Sequence, residues 1–293
     1  MAELVASLPE YTDFGKLIQV KENQERLDHL KLSYLQGNTY LAIVGYIRLE
    51  DFARFTSQED QRNDQIDAFG QRRIYLTGLK RRAVYRRISE GILRAHKDDY
   101  SCATPDHQCL ECYNCYAYGG VRAIKDQQDA LRSRFKPTTA FSIQAAEDAL
   151  ADEEEFHAMT HRDLKMPTSG EGASIYNLHL IRPGVVFPFI DFIFQPCQFD
   201  LAIYFETLRQ AEKSGFGSMT SRLGTVSINC VGVSADLALG QADLLKDMQV
   251  NADGTVDVDA RLTTGLEKVD GSDLRSKLKG WIETYKGKIF GGG

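Results

Sequence analysis

Apolar positions along the chain follow two periods. The run from Asn38 to Glu50, NTYLAIVGYIRLE, is rich in β-branched and aromatic residues and reads as a long strand buried at its centre. Val185 to Phe194, VVFPFIDFIF, is a second apolar run; its ten residues, with Pro188 and Asp191 inside, are too few to cross a bilayer and read as a buried strand. Shorter strands are expected over Ile74–Gly78, Lys136–Ile143, Ser174–Arg182 and Thr225–Val233, the third turning at Pro183-Gly184. A period of 3.6 takes over from Leu79 to His96. There Val84, Tyr85, Ile88, Gly91, Ile92 and Ala95 share one face, and Arg82, Arg86, Glu90, Arg94 and Lys97 share the other. Arg81 falls on the apolar side, but in the first turn, where its side chain is expected to emerge beyond the core. Further helices are expected over Ala123–Phe135, Leu201–Lys213, Leu237–Met248 and Leu274–Tyr285, with a turn at Asn251–Gly254.

Thr56 to Asp67 is polar and loop-like. Gln144 to Gly172 is polar, acidic at first, and too long for an ordinary connection, so it reads as a functional excursion or hairpin. Strand and helix units of this kind imply an α+β domain, one antiparallel sheet with helices on one face, and nothing in the pattern splits the 293 residues in two.

Composition is that of a soluble globular protein, 43% hydrophobic and 26% charged. The start, MAELVASLPEYTDF, has no basic stretch followed by an apolar run, so it is not expected to be a secretory signal, and a cytoplasmic, non-membrane protein is expected. The net charge of −6 argues against indiscriminate nucleic-acid binding. Its distribution changes that picture. Ala68 to Ser89 holds Arg72, Arg73, Lys80, Arg81, Arg82, Arg86 and Arg87 and no acid, whereas Glu147 to Glu155 holds six acids and no base. An acidic protein with one dense basic surface can hold a polyanion there. Within the basic run, Thr77-Gly-Leu-Lys-Arg81 has the form of a helix start beside glycine, where free N–H groups and the helix dipole favour an anion.

Four cysteines fall in the spacing C-x6-C-x2-C-x2-C: Cys102, Cys109, Cys112 and Cys115. Clustered thiols in a reducing compartment point to metal rather than to disulfides. A Cys-x2-Cys turn supplies two of the four donors that tetrahedral zinc needs. The overlapping C-x2-C-x2-C run also resembles iron–sulfur ligation, without the fourth cysteine and following proline of the ferredoxin run. Structural zinc is the favoured reading, since four thiolates leave no open position for catalysis; His96 and His107 are substitute ligands. Cys197 and Cys230, in apolar contexts, read as packing residues.

Three segments together carry a resemblance. The strand–turn–helix IYLTGLKRRAVY (Ile74–Tyr85), the stretch HLIRPGVVF (His179–Phe187) and the glycine-rich loop GFGSMTSRLGTV (Gly215–Val226) resemble the repeat-associated (RAMP) superfamily. With the four-cysteine insertion after the first helix, the chain looks like a backbone subunit of class 1 CRISPR effector complexes, the Cas seven family, and within it the type I-D branch. The resemblance implies an RRM/ferredoxin-like core across residues 1–293, a zinc-binding insertion at 97–122 and a thumb hairpin at 142–182. It implies copies assembled along a CRISPR RNA, other Cas subunits as neighbours, and recognition of target DNA or RNA through guide base pairing. The RNA-binding residues it implies are Arg54, Arg72, Arg73, Lys80, Arg81 and Arg82; His161, Arg162, Lys165 and Met166 in the thumb; and Gly215, Gly217, Ser218, Thr220 and Arg222 in the late loop. The late loop departs from the family in having Ser-Met-Thr where further glycines are usual, and His179 stands where an acid is common.

Related type III subunits cut target RNA through an acidic loop residue, and the acids in the corresponding place are Asp51, Glu59, Asp60 and Asp64. A metal-dependent nuclease is therefore the alternative to a non-enzymatic RNA-coating subunit. His157 and Asp163 offer a general acid–base pair with no nucleophile placed beside it.

Overall fold

The structure, a computed structural model, describes residues 3–14, 39–56, 63–124, 127–151, 155–158, 175–178, 180–216 and 226–291. Its centre is a four-stranded antiparallel sheet of β1 (Tyr40–Leu49), β6 (Phe135–Pro137), β10 (Val186–Phe194) and β11 (Val226–Ser234), in the order β11-β1-β10-β6. Helix α1 (Gly78–Arg94) lies between β1 and β6 in the chain, and helix α3 (Gln198–Ser214) lies between β10 and β11. Strand, helix, two strands, helix, strand with the last strand beside the first is the split βαβ arrangement of the ferredoxin and RRM folds. The expected fold class is the one observed.

Side-chain alternation explains why the central strands are apolar throughout. Leu41, Ile43, Ile47 and Leu49 of β1 join Phe187, Phe189 and Ile193 of β10 on the face that packs against the helices. Ala42, Val44 and Ile190 point the other way, and Leu244, Met248 and Leu262 cover them. Both faces are buried, as a strand without polar alternation requires. The expectation of helices on one face is thus completed by a second layer on the other. That layer comprises helix Gln241–Asp247 and the hairpin β12 (Met248–Val250) and β13 (Val256–Val258), on either side of the turn at Asn251–Gly254.

Around this core lie the hairpin β2 (Gln65–Ala68) and β3 (Gln71–Leu76), with β3 extended by β7 (Ala140–Phe141). Residues 120–131 form a hairpin of β4 (Gly120–Ile124) and β5 (Gln127–Leu131), where the polar composition predicts a helix over Ala123–Phe135. The chain leaves helix α2 (Tyr113–Tyr118) through Gly119, whose φ of +79° is a left-handed turn that ends the helix and starts the hairpin. Within the long excursion, β8 (Glu155–Ala158) pairs antiparallel with β9 (Ile175–Leu178). Helix Gly271–Thr284 packs on α3. Among the described residues no helix is long and apolar enough to cross a membrane.

Candidate nucleic-acid interface and metal centre

The basic run divides into residues spent inside the protein and residues that face outward. Arg81 and Arg134 are the largest fully buried side chains among the described residues. Arg81 Nη2 lies 2.8 Å from Asp191 Oδ2 and 2.9 Å from the Tyr85 hydroxyl, and its Nη1 donates to the Thr138 carbonyl at 3.0 Å. Tyr204 donates to the same Asp191 oxygen at 2.8 Å. Burial opposes the Arg81 charge, but Asp191, Tyr85 and Tyr204 outweigh it and hold its pKa above the ordinary arginine value. Arg81 therefore does not emerge beyond the core: Asp191, the one acid in the apolar β10 run, sits on the helix-facing side of the sheet and draws it inward.

Arg73 is buried as well, donating to the Ser142 carbonyl at 2.6 Å and the Ile143 carbonyl at 2.7 Å, so it ties β3 to the start of the excursion. Arg86 and Glu90, placed on the solvent face by helical periodicity, pair at 2.9 Å and are both buried. They are covered because the cysteine lobe packs on that face: Thr104 Oγ1 donates to Glu90 at 2.8 Å, and Arg86 donates to the Gly119 carbonyl.

The helix start itself is closed. Thr77 Oγ1 accepts from the Lys80 N–H at 3.2 Å, and the Thr77 carbonyl takes the Arg81 N–H at 3.1 Å. Gly78 serves a close approach rather than an anion: a Cβ there would lie 2.0 Å from the Pro137 carbonyl oxygen. Lys80 is half-buried, and its Nζ donates to the Thr56 carbonyl, which puts the first turn of α1 beside the segment carrying Arg54. Arg54 is half-buried, with its Nε lacking a hydrogen bond. Arg72 is exposed, donating to Gln65 at 3.1 Å, and lies 3.9 Å from Asp67.

Arg82 is half-exposed and faces a cleft of about 570 Å³ between α1, the cysteine lobe and β6. Arg86, Arg132 and Lys136 also line it, Leu79 and Val121 stand at its edge, and none of its described lining residues is an acid. Sequence reading did not single out Arg132 or Lys136. The signal was weak, two of the three bases in Arg132-Ser-Arg-Phe-Lys136, a stretch read as the end of a helix and the start of a strand.

Gly215 is the C-cap of α3, with φ +67°. Gly217, Ser218, Thr220 and Arg222 lie outside the described residues, as do His161, Arg162, Lys165 and Met166, and with them Glu59, Asp60 and Asp163. Asp51 is exposed; Asp64 is half-buried, and its main chain bonds to Phe55 and Tyr75.

The four cysteines do come together. Their Sγ atoms all lie within 4.8 Å of one another, with Cys102 and Cys115 3.5 Å apart and Cys109 and Cys115 4.0 Å apart. Tetrahedral zinc with bonds of about 2.3 Å places its sulfurs roughly 3.8 Å apart, so the donor set fits. Main-chain N–H groups of Leu110 and Glu111 reach Cys115 and Cys109 at 3.3 and 3.5 Å, and Arg86 Nη2 is 3.7 Å from Cys115. Such donors stabilise thiolates and orient them for a metal. His96 and His107 are not in the cluster: His96 Nδ1 bonds the Ile92 carbonyl, and the backbone of His107 bridges to Ala103.

The lobe is joined to the core. Cys102, Cys112, Cys115 and every residue of α2 are buried. Tyr113 donates to Asp200 at 2.8 Å, and Asp200 also holds the buried Arg134 through two contacts of 2.7 and 2.9 Å. Cys197, expected to be a packing residue, is fully buried at the N-cap of α3, while Cys230 is only partly buried.

A protein-family model described as Csc2 Crispr matches residues 57–244. Among solved structures the chain is similar to Csc2 of Thermofilum pendens, at 14% identity over 85% of this chain and 77% of that one, with a TM-score of 0.49. It is also similar to Csm3 of Methanopyrus kandleri, at 13% identity over 84% and 97%, with a TM-score of 0.46. A chain of a type IV-B CRISPR complex shares 12% identity over 71% and 98%, with a TM-score of 0.44. No curated protein matches.

Proposed function

The chain belongs to the Csc2 family of CRISPR proteins, and from that premise we propose that it is a guide-RNA-binding backbone subunit of a type I-D class 1 effector complex. Copies of it assemble along the CRISPR RNA in the cytoplasm beside other Cas subunits. The guide reads target DNA or RNA by base pairing, and the protein reads backbone shape. The observation that carries this reading is the family match across residues 57–244. The α+β core and the cysteine cluster that the resemblance led us to expect are consistent with it.

On this reading zinc is structural. Cys102, Cys109, Cys112 and Cys115 hold it, the four thiolates saturate it, and it fixes the path of the lobe without an open position for water. The chain binds RNA and does not cut it.

Phosphate contacts fall to Arg54, Arg72, Lys80 and Arg82, the cations of this set that are not buried, with Gly215, Gly217, Ser218, Thr220 and Arg222 of the late loop and His161, Arg162 and Lys165 of the thumb, where Met166 wedges between nucleotides. The test is binding of the purified chain to single-stranded RNA across a salt series. A slope of log affinity on log salt of roughly −0.7 per phosphate neutralised supports the reading. Absence of binding at low salt overturns it.

A further inference from the structure

The RRM sheet ordinarily binds single-stranded RNA on its open face, through aromatic side chains that stack bases. In this chain that face is covered: Leu244, Met248 and Leu262 pack on Ala42, Val44 and Ile190. An RNA held by this protein needs another surface.

The cleft between α1 and the cysteine lobe has the properties of one. Its volume of about 570 Å³ lies within the roughly 300–1,000 Å³ usual for ligand sites. Of its cations, Arg86 is neutralised by Glu90 at 2.9 Å. Arg82 and Arg132 have no ion pair among the described residues, and Lys136 is exposed, its ammonium 4.4 Å from the Phe194 ring. Burial, and then the neighbouring Arg86 charge, pulls the Arg82 pKa below the usual arginine value. The attraction of an anion in the cleft would offset both effects. Leu79 and Val121 at its edge are 67% and 59% exposed, two of the few large apolar side chains left in solvent among the described residues.

We infer that this cleft seats one nucleotide of a bound single-stranded RNA, its phosphate on Arg82, Arg132 and Lys136 and its base against Leu79 and Val121. The inference rests on the RNA-binding reading above and deepens it by assigning a surface. Two donors on α1 and β6 and a third beside the lobe converge on one concave site, which is what a tetrahedral phosphate accepts. The apolar edge suits a base with no stacking partner in the strand.

The test uses the full chain, labelled oligouridylate as probe, and two double variants. Arg82→Ala with Arg132→Ala removes the half-buried cation and one exposed cation; Arg132→Ala with Lys136→Ala removes two exposed side chains, so folding is preserved. Affinity is expected to fall by roughly tenfold or more in each, and the salt slope to become shallower by roughly 1.4 for two lost phosphate contacts. If wild type binds the oligonucleotide and both variants bind it equally well with the same slope, the cleft is not the site and the RNA-binding reading stands. If wild type does not bind, the reading fails and the cleft assignment with it. If the variants keep RNA affinity but lose self-association in sedimentation, the cleft seats a protein copy and the assignment is overturned.

Discussion

Arg81 and Asp191 meet at 2.8 Å in the middle of the protein, 0% and 2% exposed, joining the first turn of α1 to the centre of β10. A buried pair of this kind contributes little net stability over an apolar pair, yet either ion alone is costly. Asp191→Ala should therefore lower unfolding free energy by about 3–5 kcal/mol, and Arg81→Ala by a similar amount. The double change Arg81→Met with Asp191→Leu should cost less than either. Urea titration of the three variants checks this, and additive losses in the double variant would contradict it.

The same pair separates fold from binding. Arg81 stands in the basic run, yet its guanidinium is enclosed by Asp191, Tyr85 and the Thr138 carbonyl. Arg81→Ala is expected to lower thermal stability while the salt slope of RNA binding stays at the wild-type value. Arg82→Ala should do the reverse, keeping the melting temperature and losing roughly 0.7 of slope.

Metal removal should be felt by the whole chain. A loop insertion could loosen by itself, but α2 is buried in the main core and tied to α3 through Tyr113 and Asp200. Cys112→Ser or a strong chelator should abolish metal binding, about one ion per chain, and shift the single unfolding transition downward. Calorimetry with metal analysis reads both. An unchanged midpoint after complete metal loss would show that the lobe is energetically separate.

Gly78→Ala probes the turn before α1. Its Cβ would meet the Pro137 carbonyl oxygen at 2.0 Å, so helix and β6 must separate. A cost of roughly 1–3 kcal/mol is expected, against the gain that Gly to Ala brings within an unobstructed helix. Denaturant unfolding decides, and a neutral or stabilising result would mean that the two elements are free to move apart.

What the chain's pattern revealed and what it hid have physical causes. β1, β10, α1 and α3 were legible because long runs with a clear period leave little choice of element. The polar face of α1 was misleading: periodicity shows that Arg86 and Glu90 oppose Val84 and Tyr85, but not that a cysteine lobe lands on them. The β4–β5 hairpin was hidden because residues 125–129, KDQQD, carry no apolar alternation. Met248-Gln-Val250 and Val256-Asp-Val258 around Asn-Ala-Asp-Gly did carry a period of two on either side of a turn; the turn was legible, while Met248 was assigned to a helix end and the two short strands were missed. Of the site, the cysteine cluster was fully legible from spacing. The division of the arginines was not, because whether a cation is paired inside or free outside depends on acids such as Asp191, far away in the chain.

The central claim is that this chain coats a guide RNA. The most direct measurement is to co-express it with a CRISPR array and its neighbouring Cas proteins, purify it under native conditions, and determine the length and amount of nucleic acid that accompanies it. The account predicts a multimer carrying RNA of uniform length derived from the array. A monomer free of nucleic acid would contradict it.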